Sequence, residues 1–425
     1  MGETTIITKC NRYIGYLFAF SLSSFVRATP AIIAVWILCL IVDAVQKRKV
    51  EINFSPSSAF IFVLYFMYVL GLLWSDNQVA ARFALEEKFS LFLFPLLIAF
   101  NTPFFKQNYK GILFAFVLGA LASSIFCLAY ATWESIYIVP GGIGFNSIDP
   151  EYANWEFGGS RFRYINLSIF MHPTYFSIYI LFAIALLFQF LKDSPNLDKK
   201  TSILLKLSIP FFMLMLYLLS SKAVLLSALV LVIVYSVVQY RKQNGLLIKA
   251  LIAFSVIVFV FIALQNPRIE LMIDNLNKPE LFSDNLQDGS LFSRLHIWNA
   301  GTDIVKKHFF LGVGPGDTSS ELLNRYIAHH YIDPVLRNSN AHNQYLETFI
   351  DLGFFGFLLL FISIIFPIFE PIDKRNTVFL VFLFIVGFNF LFESVLNMQT
   401  GVVFFSFFYS LFSILEKKDK LRISR

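Results

Sequence analysis

The sequence is short of charge. Asp, Glu, Lys and Arg make up 15% of its 425 residues, against roughly 25% in an average soluble domain. With 57% of the residues hydrophobic, a water-soluble fold has too little interior to hide the apolar surface. That excludes a soluble enzyme, a disordered chain and a nucleic-acid binder. Cysteine is scarce too. Cys10 is expected in a tail, and Cys39 and Cys127 inside apolar spans, so no disulfide is implied. The apolar runs lack alternation, which excludes a membrane β-barrel. No small-x-small cleavage site follows the first apolar run near Tyr13, so a cleaved signal is not expected. Mid-span acids and histidines are also missing: Asp43, Glu134 and Lys206 lie near span ends. Ion-coupled transport usually needs such groups, which speaks against a transporter.

What the chain does have is aromatic and apolar: 52 Phe, 18 Tyr and 5 Trp, with a mean hydropathy of +0.67. The expected fold is an all-α polytopic membrane protein with about 12 transmembrane helices and one long periplasmic loop containing helices, each crossing taking about 20 apolar residues. The spans are expected near 13–26, 30–46, 58–74, 87–101, 111–134, 168–191, 203–220, 222–240, 246–265, 345–369, 376–392 and 400–415. This gives three sections. Residues 1–265 carry helices 1–9 and a short Gly-rich outer loop at 135–163, 266–343 form the long loop, and 344–425 carry helices 10–12 and a tail. Gln78–Lys88 reads as an amphipathic helix lying at the outer surface.

The net charge of +6 is explained by orientation. With the N-terminus in the cytoplasm, every short loop on that side is basic: Lys9 and Arg12, Lys47 to Lys49, Lys106 and Lys110, Lys192 to Lys200, Arg241 to Lys249, Lys374 and Arg375, and the tail from Lys417. The long loop carries seven basic and nine acidic residues. Both termini are therefore expected in the cytoplasm and the long loop outside.

Several constellations on the outer side invite chemistry. In the long loop, Leu291–Phe310 has helical periodicity, with Leu291, Leu295, Trp298, Val305 and Phe309 near one face, and Asp284 or Ser290 as a cap. Arg294 and Trp298 share a face at i, i+4. The Arg fork suits phosphate, although an Arg–Trp stack or a headgroup anchor has the same pattern. Gly312-Val313-Gly314-Pro315-Gly316-Asp317 reads better as a sharp helix-breaking turn than as an anion cradle. His342, with Asn343, Gln344 and Glu347, stands where the long loop re-enters the membrane. There an imidazole is near enough to solvent to titrate and to act as a general base, although a hydrogen-bonded structural His fits the position too. Lys222 follows Ser220-Ser221 in a tight outer turn. Arg161 and Arg163 precede span six, whose first turns hold His172, and Glu393 ends span eleven. Each of these could equally be a headgroup contact. His329, His330, Asp333 and His342 match no zinc spacing. Asp149 and Glu151 form a short acidic pair that could hold a divalent ion, a pattern common by chance. No metal site and no cofactor is expected.

From Ser293 to Gly356 the order Arg294…Trp298, Leu311-Gly312-Val313-Gly314, His342-Asn343-Gln344-Tyr345-Leu346 and Gly353…Gly356 resembles the O-antigen ligase and O-antigen polymerase family of bacterial inner-membrane glycosyltransferases. Weaker echoes stand at Glu87-Lys88-Phe89-Ser90…Pro95, at His172-Pro173-Thr174-Tyr175 and at Glu393…Gln399-Thr400-Gly401. The resemblance implies transfer of a glycan from an undecaprenyl-diphosphate carrier to an acceptor hydroxyl on lipid A-core, inverting and metal-independent, at a periplasmic active site. It implies that His342 is catalytic and that Arg294 binds the diphosphate. Lys222 stands where many members have Arg, which keeps the charge and loses the bidentate fork. Arg161 and Arg163 are further candidates for the diphosphate, and His172, Trp298, Asn343, Glu347 and Glu393 for supporting roles. A repeat-unit polymerase and a protein O-oligosaccharyltransferase are alternatives within the family. A lipid-glycan transporter or a non-enzymatic scaffold lies outside it.

Overall fold

A computed structural model describes residues 6–47, 52–140, 142–152, 159–242, 245, 249, 291–369 and 376–415. The helices are α1 (Ile6–Ser24), α2 (Thr29–Lys47), α3 (Pro56–Gly71), α4 (Gln78–Lys88), α5 (Ser90–Phe100), α6 (Thr102–Ser135), α7 (Tyr164–Leu167), α8 (Pro173–Asp193), α9 (Lys199–Leu219) and α10 (Lys222–Lys242). They continue with α11 (Leu291–Lys307), α12 (Thr318–Ala328), α13 (Ile332–Arg337), α14 (Gln344–Ile365), α15 (Thr377–Asn389) and α16 (Gln399–Ser413). A helix stands at each expected apolar span that falls among the described residues. The expected span 246–265, Lys249 aside, lies outside them, as do residues 266–290 of the expected long loop, Lys374, Arg375 and the tail from Lys417. Five stretches are long and apolar enough to cross a membrane: Val26–Asp43, Thr102–Ser135, Pro173–Asp193, Lys199–Leu219 and Gln344–Phe369. The chain is a helical membrane protein.

Its residues group into two compact units, the first taking in 1–18, 30–112 and 278–421, the second 19–29, 113–277 and 422–425. In the first unit α3 packs on α14 and α5, and α16 packs on α5 and α15. Aromatic rings make these contacts. Phe407 meets Phe18 edge-on at 4.8 Å and Phe94 at 5.2 Å, and Trp36 meets Phe105 at 5.6 Å. Such contacts add to area burial, and between lipid-bathed helices close packing is the main source of cohesion. The Tyr409 hydroxyl donates to the Ser363 carbonyl at 2.7 Å, tying α16 to α14.

Helices α11, α12 and α13 form a small layer against α14. Its core holds Ile297, Ala300, Ile304, Val313, Leu322, Tyr326, Ala341 and Ile350. The buried face of α11 matches the periodicity reading in part: Trp298 and Val305 pack against this core, whereas Leu295 and Phe309 are exposed and Ala300 and Ile304 are buried. The reason is close approach. A Cβ on Gly301 would lie 2.9 Å from Leu346, so the small-residue face is the one that meets α14.

In the second unit α8 packs on α9 and α10, with Phe116 against Tyr179 and Phe182. The segment 135–163 is more than a loop. It opens with an antiparallel hairpin, β1 (Ile136–Val139) and β2 (Gly142–Phe145).

Candidate functional site

His342 occupies the last turn of chain before α14. Its φ of 43° lies in the left-handed region, uncommon for a non-glycine residue and held only where surroundings enforce it. The surroundings do so. Asn340 accepts from the His342 N–H at 3.0 Å. The preceding residue, Ala341, is pinned on both sides: its N–H donates to Glu347 Oε2 at 2.8 Å, and its carbonyl accepts from Trp298 Nε1 at 3.1 Å. Asn343 caps α14 by accepting from the Leu346 N–H at 3.1 Å.

The His342 ring is thereby aimed at Glu393. Nδ1 lies 3.3 Å from Glu393 Oε1, with the histidine side chain 33% exposed and the carboxylate 11%. A carboxylate at Nδ1 favours the tautomer with its proton there, leaving the Nε2 lone pair to face outward. Nε2 has no hydrogen-bonding partner among the described residues. Arg294 lies one helical turn before Trp298 on α11 and is half-buried. The helix that pins Ala341 therefore carries the guanidinium on the same face.

A buried polar network stands behind this pair. Glu347 also accepts from Asn397 Nδ2 at 2.7 Å and from Ser394 Oγ at 3.2 Å. Asn397 Oδ1 accepts from Lys88 Nζ at 3.2 Å, and that ammonium lies 4.9 Å from the Tyr68 ring centroid. The Tyr68 hydroxyl donates to Asp351 at 3.2 Å, and Thr318 donates to the other oxygen of that carboxylate. Gln344 locks the 390–397 segment to α14: its N–H donates to Phe390 O at 2.7 Å, and its Oε1 accepts from Leu396 N at 2.6 Å. Lys88, at the end of α4, is buried, while most of that helix is exposed or half-buried.

The glycine-rich segment serves packing. Val313 N and Gly314 N donate to the carbonyls of Ile350 and Asp351, Gly312 N donates to His308 O, and Gly316 N donates to Ser75 Oγ. Amides used in this way do not cradle an anion. Gly353 kinks α14 at φ 66°, and a Cβ there would overlap the Phe310 carbonyl.

Around this centre, His296 stacks on Tyr331 at 4.2 Å, and His329 stacks on the same ring at 5.2 Å. The hydrogen bond from His329, at 3.0 Å, and then Lys306, at 3.3 Å, hold the Asp303 carboxyl below the usual carboxylate range. Burial pushes the Tyr326 phenol up. Asp333 is engaged by Ser293 and Arg337, each at 2.6 Å. Among the described residues, no three His, Cys, Asp or Glu side chains gather where a metal could be held.

The remaining sequence candidates belong to the second unit. Lys222 opens α10 two residues after Ser220, which has φ 53° and caps the end of α9. His172 Nδ1 accepts from the Thr174 N–H at 3.3 Å and caps α8. Arg163 lies over the Tyr217 ring at 5.8 Å. Arg161 donates to the carbonyls of Asn146 and Ile148 and pairs with Asp149, each at 3.3 Å. Sequence reasoning did not single out Asn397, Ser394, Asp351 or Tyr68. Lys88 entered it only within a motif, and its signal was a lone cation abutting an apolar run.

No curated protein matches the chain. Residues 207–361, which take in Lys222, Arg294, Trp298, His342 and Glu347, match the family model described as O-antigen ligase. Over that segment, and with apolar helices suited to a membrane, the chain is similar to the O-antigen ligases.

Proposed function

We propose that the protein transfers a glycan from an undecaprenyl-diphosphate carrier to a hydroxyl of lipid A-core, with inversion and without a metal, in the bacterial inner membrane. The proposal includes twelve spans, cytoplasmic termini and a periplasmic segment 266–343. The observation that carries it is the His342–Glu393 pair, whose histidine follows the pinned Ala341 and lies within the segment similar to O-antigen ligases.

In this reading His342 Nε2 takes the proton of the acceptor hydroxyl as its oxygen attacks the anomeric carbon. The bond from that carbon to the diphosphate oxygen breaks, and its electron pair leaves with the lipid diphosphate. Glu393 steadies the imidazolium that forms. Arg294 offers the leaving oxygens a bidentate cation. Trp298, Glu347 and Asn343 are positioning residues, because each acts through the backbone that carries His342. The phosphate role of Lys222 and Arg163 rests on the resemblance. Arg161 is left out of it, since its guanidinium serves Asp149 and two carbonyls.

The test is the surface-glycan profile of a deletion strain, complemented with wild type, Arg294→Lys or Arg294→Ala. Core without polymer, together with accumulated lipid-linked polymer, supports the ligase, and Arg294→Ala should reproduce it. A single capped repeat on the core would mean a polymerase. Intact lipopolysaccharide with unglycosylated proteins would mean a protein transferase.

A further inference from the structure

The second unit holds a cavity of about 330 Å³ that the transfer mechanism does not use, lined by Tyr130, Glu134, Asp149, Arg161, Ile165 and Asn166. Resting on the glycan-transfer reading above, we infer that it is a subsite for one uncharged sugar residue of a substrate glycan.

The unspent hydrogen-bonding capacity of the lining carries this. Tyr130 and Glu134 lie one turn apart at the end of α6. Among the described residues, the Tyr130 hydroxyl, the Glu134 carboxylate and the Asn166 amide make no hydrogen bond or ion pair. Three polar side chains of complementary type thus meet at one concavity. The carboxylate accepts from sugar hydroxyls, the amide both donates and accepts, and the phenol does either. The Tyr130 ring and Ile165 supply apolar faces for the C–H side of a pyranose. The volume stands at the low end of the roughly 300–1,000 Å³ range of small-molecule pockets.

The wall is preorganised. Arg161 spans the Asn146 and Ile148 carbonyls and Asp149. Its backbone N–H donates to Ser147 O at 2.8 Å, and Asp149 N donates to Gly159 O at 2.9 Å. The same bonds decide the ligand's charge. With Arg161 neutralised by Asp149, Glu134 leaves the cavity one negative charge in excess. A phosphate or a uronic acid is repelled there, and a polyhydroxyl ring is not.

The test uses the full-length protein in detergent and ligand-observed saturation-transfer NMR. The probes are methyl α-D-glucopyranoside, methyl α-D-mannopyranoside, methyl α-D-glucuronide and inorganic pyrophosphate. At least one neutral glycoside should receive saturation. Glu134→Gln should weaken it about tenfold or more, the scale of a lost charge-assisted hydrogen bond, and Asn166→Ala about two- to tenfold, the scale of a neutral one. Binding of neither neutral glycoside, binding indifferent to both substitutions, or equal binding of the anionic probes would overturn the inference.

A kinetic arm separates the two sources of sugar. Glu134→Gln should raise KM for the lipid-linked donor if the ring belongs to the donor glycan, and for the acceptor if it belongs to the core, with kcat little changed. If neither KM moves, the cavity is no substrate subsite. Glycoside binding in a protein that shows no transferase activity would instead fault the proposed function and leave the saccharide site standing.

Discussion

Glu393→Gln tests the His342–Glu393 pair with the least disturbance of shape. The carboxylate does two things. It favours the proton on Nδ1, so that Nε2 carries the lone pair, and it stabilises the charge the ring gains as it accepts a proton. A hydrogen bond to a charged partner is worth about 1.5–3 kcal/mol, and every 1.36 kcal/mol is a factor of ten in rate. The separation of 3.3 Å is long for such a bond, which favours the lower half of the range. The expected loss in kcat is therefore about ten- to fiftyfold. An amide that turns its NH2 toward Nδ1 would stabilise the wrong tautomer and push the loss higher. Glu393 does not touch the donor in this account, so donor KM should hold. The assay is single-turnover transfer from lipid-linked donor, with Glu393→Gln measured in the wild-type and the His342→Ala backgrounds. The substitution should cost nothing further once the imidazole is gone. Full activity of Glu393→Gln, or an equal loss in both backgrounds, would refute the pairing as a functional one.

Gly353→Ala should destabilise the protein by at least about 1–2 kcal/mol, the cost of a left-handed conformation with a Cβ. Overlap with the rigid Phe310 carbonyl adds to this, and reduced membrane abundance and a lower Tm would report it. Asp303 is held below its usual range by His329 first and Lys306 second, so its contribution to stability is present above about pH 4 and fades as pH falls through the depressed value. Asp303→Asn should flatten the acid limb of a Tm-against-pH curve, and an unchanged acid limb would count against the bond. Purified protein should transfer glycan in EDTA, and activity abolished by the chelator and restored by manganese or magnesium would move attention to Asp149 and Glu151.

Much of the helical layout was legible because the apolar segments are long and free of charge. The start of α14 was legible too, since Asn343 precedes an apolar run as a helix cap should. The partner of His342 was not. Glu393 lies 51 residues away, and one sequence has no signal that pairs them. Lys88 follows two glutamates and abuts an apolar run, and only the packed structure reveals its burial against Tyr68 and Asn397. The face of α11 was read only in part, through Trp298 and Val305, because apolar periodicity also weights Leu295 and Phe309. Ala300 and Gly301, which bring the helix close to α14, have little side chain to weigh. The hairpin at 136–145 did carry a signal, the run Ile136-Tyr137-Ile138-Val139 before Pro140-Gly141, which is strand followed by turn chemistry.

The central claim is that His342 is the base. His342→Ala, measured at once for membrane abundance, donor binding and single-turnover rate, tests it most directly. The account predicts normal abundance and donor binding with a chemical step slowed about 10²–10⁴-fold, the usual worth of general base catalysis. A well-inserted variant whose chemical step runs at the wild-type rate would contradict it.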